Sequence, residues 1–159
     1  MSPTQPVGDP LPGMGELPAQ VAASAPDGSE RPFSVYLHVP YCRVRCGYCD
    51  FNTYTNLAMG QGASAEDFVG TLAGELRAAR RAMDEAGLPV RAAQTVFVGG
   101  GTPTMLPAAD LVSMLELVRE CFGLAADAEV TTEANPDSVD EAGLAALAEG
   151  GFTRVSFGM

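Results

Sequence analysis

The chain has 159 residues, enough for one ordinary domain, and nine basic against twenty acidic side chains give a formal net charge of −11. That balance excludes a protein that binds nucleic acid by neutralising phosphates, and one that lies on an anionic membrane, since both need clustered cations. Aromatic residues make up 7% with no Trp, which weighs against a base-stacking platform, while 47% hydrophobic residues suffice for a core.

Residues 1–30 hold six Pro and four Gly and few large apolar side chains. They cannot bury enough surface to offset their ordering entropy, so a disordered tail is expected there. No charged start followed by an apolar stretch marks a secretory signal; the first basic residue is Arg31. No apolar run approaches the roughly 20 residues of a membrane span. Residues 33–39, FSVYLHV, are β-branched and aromatic and predict a strand that Pro40 stops. A long loop over 41–63 follows, ending at Gly60 and Gly62. Ser64 then predicts a helix N-cap, with Glu66 and Asp67 in the first turn. Phe68, Leu72, Leu76 and Met83 recur at near-helical spacing until Gly87 ends the helix.

A second strand is predicted over 94–98, followed by GGGTP at 99–103. A second helix runs from about Pro107 to Phe122, with Leu111, Leu115 and Val118 on its apolar face. Residues 128–133 read as a third strand leading to Asn135-Pro136, Ser138 caps a third helix to about Ala148, and 153–157 begin a fourth strand. Strands alternating with helices predict an α/β fold with a parallel sheet and right-handed crossovers. Ligands of such sheets bind outside the carboxyl ends of the strands. The loop after strand one, GGGTP after strand two and Glu133-Ala-Asn-Pro136 after strand three all fall there. A fourth strand with no helix after it leaves a sheet edge unpaired, so 31–159 is expected to be the first part of a longer domain.

The chemistry lies in those three segments. Cys42, Cys46 and Cys49 fall within eight residues, and Cys121 lies far off. A disulfide framework would spread its cysteines along a secreted chain, so the cluster predicts a metal or redox site in a reducing, cytoplasmic setting. Three thiolates on a short loop suit a [4Fe–4S] cluster, leaving one iron open to a further ligand. A zinc site completed by His38, Cys3His, is the alternative, although zinc would leave the other two segments without a role. A redox disulfide is weaker, because the spacing is not a bare CxxC in a thioredoxin-like setting. GGGTP taken alone is a tight turn, and with no GKS/T after it a nucleotide triphosphatase is not indicated. Glu133 alone would be a solvated carboxylate, Tyr36 strand packing, and His38 a packed, hydrogen-bonded ring. Cys121 is expected to be a buried hydrophobe.

Tyr36-x-His38-x-Pro40-Tyr41-Cys42-x3-Cys46-x-Tyr48-Cys49 resembles the radical S-adenosylmethionine (SAM) enzymes. Gly99-Gly100-Gly101-Thr102-Pro103, Glu133-Ala-Asn-Pro136 and Arg154-Val-Ser-Phe-Gly158 follow in the order of the oxygen-independent coproporphyrinogen III oxidase group and its haem-chaperone relatives. The resemblance covers 33–159 and leaves out the tail. It implies the N-terminal part of a partial (βα)6 barrel, with Cys42, Cys46 and Cys49 holding a [4Fe–4S] cluster whose open iron binds SAM. One-electron reduction would then cleave SAM to a 5′-deoxyadenosyl radical. It further implies that Tyr36 and Tyr48 contact SAM, that Gly100, Gly101 and Thr102 line its methionine end, and that Glu133 contacts it. His38 would stand beside the cluster without ligating it.

Within the group the oxidase carries a further Cys two positions after the third ligand; here that position is Phe51. The Phe form resembles the haem chaperones. It implies haem as cargo, haem-requiring acceptor proteins and an electron donor as partners, and no coproporphyrinogen oxidation. The chaperones' haem-binding motif would lie beyond Met159, so this chain alone is expected to catalyse nothing. A radical SAM oxidase acting on a porphyrinogen and a zinc-stabilised binding module are the other two possibilities.

Overall fold

A computed structural model describes residues 32–57 and 64–158. The expected tail at 1–30 and the loop end at Gly60 and Gly62 lie outside the described residues. Four strands, β1 (Ser34–Val39), β2 (Ala93–Gly100), β3 (Leu124–Ala134) and β4 (Arg154–Phe157), pair in parallel and in chain order. The helices α1 (Phe68–Glu85), α2 (Ala108–Phe122) and α3 (Glu141–Glu149) connect them, as parallel pairing requires. The α/β fold with a parallel sheet is as the alternation predicts.

The register fixes two faces. Tyr36 pairs with Phe97, Phe97 with Thr131 and Thr131 with Arg154. Side chains alternate along a strand, so Leu37, Val39, Val96, Val98 and Val130 share the other face. They are buried against Leu111, Met114, Leu115 and Val118 of α2. Cys121, the penultimate residue of α2, belongs to this core, as expected of a buried hydrophobe. Tyr36, His38, Phe97, Glu133 and Arg154 stand on the face away from the helices. Leu111 and Leu115 are fully buried. Replacing either by Ala is expected to cost about 2–5 kcal/mol, measured as a lowered denaturant midpoint at unchanged slope.

Two helix starts differ from the sequence expectation, and hydrogen bonding explains both. Ser64 accepts from the Asp67 N–H at 3.3 Å and donates to its carboxylate at 2.8 Å. It closes one turn ahead of α1, whose N-cap is Asp67, so neither Glu66 nor Asp67 lies within the helix. Ser138 accepts from the Asn135 N–H at 3.1 Å and donates to its carbonyl at 2.8 Å, within the 3-10 turn Pro136–Ser138. Its hydroxyl is used there, and Asp140 caps α3 by accepting from the Gly143 N–H at 2.7 Å. Strand β2 also runs further than predicted and takes in Gly99 and Gly100.

Candidate metal centre

The cysteine loop leaves β1 at Pro40 and is closed at its base by backbone bonds. The Tyr54 N–H donates to the Pro40 carbonyl at 2.7 Å, and the Cys42 N–H donates to the Tyr54 carbonyl at 2.9 Å. Inside it the Cys49 N–H donates to the Cys46 carbonyl at 3.1 Å, which keeps those two cysteines on one tight turn. All three thiols are free; Cys42 is buried, Cys49 half-buried and Cys46 exposed. The Cys49 Sγ lies 3.9 Å from the hydroxyl of buried Thr53.

The glycine turn after β2 is joined to this loop. The Gly101 N–H donates to the Val39 carbonyl at 2.8 Å and the Thr102 N–H to the Tyr41 carbonyl at 2.7 Å. Glycine is required for two reasons. Gly100 has φ +115°, a backbone that side chains disfavour. A Cβ on Gly101 would overlap the Tyr41 carbonyl oxygen and fall 3.0 Å from the Cys42 Sγ. The third segment closes on the second: Glu133 accepts from the Gly100 N–H at 3.0 Å, and the Asn135 amide donates to the Thr102 hydroxyl at 3.2 Å.

A cavity of about 470 Å³ opens where the three segments meet. Cys42, Cys46 and Cys49 line it, and so do Gly100, Gly101, Thr102 and Glu133. Tyr48 is on its wall and 83% exposed. Tyr36 and His38 are not on that wall; they line a separate cavity along the β1 edge. They form a chain instead. The Tyr36 hydroxyl is 2.9 Å from the His38 Nδ1, and the His38 Nε2 is 2.9 Å from the Asn52 carbonyl oxygen. Burial first, and then the Glu133 carboxylate, hold the Tyr36 hydroxyl above its ordinary pKa, so it stays a donor. Asn135, also on the wall, was not among the sequence candidates. Its place two residues after Glu133, in an unbroken Glu-Ala-Asn-Pro run, was the available signal. A larger cavity of about 530 Å³, between α2 and the Pro136–Ser138 turn, holds none of the cysteines.

Among the described residues no group of three His, Cys, Asp or Glu side chains is placed to hold one metal ion. A single zinc needs its donors within about 2.0–2.3 Å of one point. In a four-iron cluster each thiolate binds an iron of its own, so the three sulfurs stand farther apart than on one zinc, and Cys42, Cys46 and Cys49 all line this one cavity. With both ring nitrogens engaged, His38 is a poor fourth zinc ligand. The donor set and the cradle over Gly101 fit a cluster held by Cys42, Cys46 and Cys49.

Residues 36–159 match the family model of the radical SAM superfamily. The chain is 45% identical over 149 residues to the haem chaperone HemW of Mycobacterium tuberculosis (strain CDC 1551 / Oshkosh), which covers 94% of this chain and 34% of that protein. That alignment reaches into the first thirty residues, which the motif resemblance leaves out. HemW of Escherichia coli (strain K12) is 37% identical over 128 residues, 80% of this chain and 32% of that one. Among solved structures, the coproporphyrinogen III oxidase HemN from Escherichia coli, described as a radical SAM enzyme, superposes with a TM-score of 0.70 at 31% identity. It covers 89% of this chain and 30% of the oxidase. The chain thus spans about a third of the length of the curated relatives it matches. With the family model matched over most of its length, the chain belongs to the radical SAM superfamily.

Proposed function

We propose that the chain carries the cluster- and SAM-binding part of a haem chaperone, cytoplasmic in location, that passes haem to haem-requiring proteins. The observation that carries this is the cavity on which three thiols, a glycine turn and the Glu133 carboxylate meet, with Phe51 beside them. Cys42, Cys46 and Cys49 would ligate three irons of a [4Fe–4S] cluster, leaving the fourth for SAM. When bound and reduced, such a cluster supplies the single electron that cleaves SAM. The glycine turn keeps side chains out of the cavity, so its backbone can come close to a ligand. Glu133 spends one oxygen on the Gly100 N–H and keeps acceptor capacity for a cationic group such as the SAM ammonium.

Glu133→Ala is expected to weaken SAM binding by about 1.5–3 kcal/mol, as for a hydrogen bond to a charged group, measured by equilibrium titration of the reconstituted protein. Glu133→Gln keeps an acceptor for Gly100 and removes the charge, so it should lose part of that. Equal affinity in wild type and both variants would remove Glu133 from the SAM site.

Two relatives named as haem chaperones, at 45% and 37% identity, support the chaperone over the oxidase. Phe51 points the same way: it is 59% exposed on the cavity wall and offers an apolar ring, with neither thiolate nor proton donor. The likeness to an oxidase structure favours coproporphyrinogen oxidation as the second reading. The test is paired. The intact protein, titrated with haem, should develop the absorbance of a bound haem, and with SAM and a reductant under anaerobic conditions it should leave coproporphyrinogen unchanged. Turnover without haem binding would replace the chaperone by the oxidase.

A further inference from the structure

His38 belongs to neither the cavity wall nor the apolar core, yet three parts of the site touch it. Its Nε2 is 2.9 Å from the Asn52 carbonyl oxygen. A carbonyl only accepts, so Nε2 carries the hydrogen and, in the neutral ring, Nδ1 accepts from the Tyr36 hydroxyl at 2.9 Å. Asn52 precedes Thr53, whose hydroxyl lies against the Cys49 sulfur. On its other side the ring packs on the glycine turn, where a Cβ on Gly100 would fall 2.6 Å from its Cε1 and Nδ1. One imidazole thus touches β1, the returning limb of the cysteine loop and the turn after β2.

The outgoing limb of the loop is held by backbone bonds to Tyr54 and, through Tyr41, to Thr102. The returning limb between Cys49 and Tyr54 meets the sheet through the His38 ring. We propose that His38 is a positioning residue: by donating to the Asn52 carbonyl while packed on Gly100, it sets the returning limb of the cysteine loop, and with it Cys49, against the glycine turn. Tyr36 orients the ring by occupying Nδ1. This rests on the reading that the loop carries the cluster. A leucine at 38 keeps the bulk and loses both hydrogen bonds, whereas a glutamine keeps a donor and an acceptor at the end of a side chain of similar reach.

The test compares His38→Leu and His38→Gln with wild type. In the metal-free protein, amide hydrogen exchange at Cys42 and Tyr54 reads the loop, and exchange at Val98 and Val130 reads the sheet. His38→Leu should exchange about tenfold faster at the two loop amides with the sheet unchanged, and His38→Gln should recover most of that protection. In anaerobically reconstituted protein, His38→Leu should retain iron but show a changed electron paramagnetic resonance signal of the reduced cluster, with His38→Gln closer to wild type. Wild-type loop protection in His38→Leu would overturn the proposal. So would loss of protection across the sheet in both variants, which would make His38 a general packing residue. Absence of iron from wild-type protein would refute the cluster itself and leave the exchange result standing, so the two failures are distinguishable.

Discussion

Replacing Cys42, Cys46 or Cys49 by Ala is expected to abolish the iron–sulfur cluster in each single variant, whereas Cys121→Ala keeps it. The three thiols share one cavity wall, and the fourth is buried in the core on α2. Three ligands are the fewest that leave a single iron open, so loss of one leaves two irons without protein donors and no neighbouring thiol or imidazole to replace it. Among the described residues no further cysteine or histidine lines that cavity. The expected result is loss of visible cluster absorbance and of acid-labile sulfide in the three loop variants after anaerobic reconstitution. Cys121→Ala should cost stability alone, as a small truncation in the core. A loop variant that retained wild-type iron and sulfide would remove that cysteine from the ligand set.

The second large effect is expected at Gly101. A Cβ added there overlaps the Tyr41 carbonyl oxygen and approaches the Cys42 sulfur, so a substitution strikes the first cysteine as well as the turn. Relief requires opening the bonds from Gly101 to Val39 and from Thr102 to Tyr41, which join the turn to the loop. Gly101→Ala is therefore expected to lose both iron incorporation and SAM binding, and to destabilise the fold by about 1–3 kcal/mol or more, as overpacking against backbone does. Gly74→Ala is the matched control. Its Cβ meets nothing within 4 Å on the exposed side of α1, and it should stabilise by about 0.5–1 kcal/mol. Both are read by thermal denaturation and iron content; normal iron in Gly101→Ala would show that the junction yields.

The helices were legible from their period, and the strands from short β-branched and aromatic runs between turn residues. Leu111, Leu115 and Val118 repeat at helical spacing and are buried together. Parallel pairing followed from the alternation of strands and helices and needed no knowledge of register. The helix starts at Ser64 and Ser138 were misplaced because a serine hydroxyl can bind a local turn as well as a helix end. Sequence spacing does not distinguish the two. Convergence of the Cys loop, the glycine turn and Glu133 was legible from topology, since all three follow strand ends. The links between them were not. The bond from Asn135 to Thr102 spans 33 residues, and the one from His38 to Asn52 joins a strand to a loop of no regular period. Such contacts depend on register and on the path of an irregular loop, and neither leaves a pattern in the chain.

The electron paramagnetic resonance spectrum of the reduced, anaerobically reconstituted protein, recorded before and after SAM is added, tests the shared cluster and SAM site most directly. Three cysteine ligands and an open iron predict a [4Fe–4S] signal that shifts on adding SAM, with a smaller shift in Glu133→Ala at the same SAM concentration. Protein that holds zinc in place of iron, or a cluster signal that SAM leaves unchanged, would contradict it.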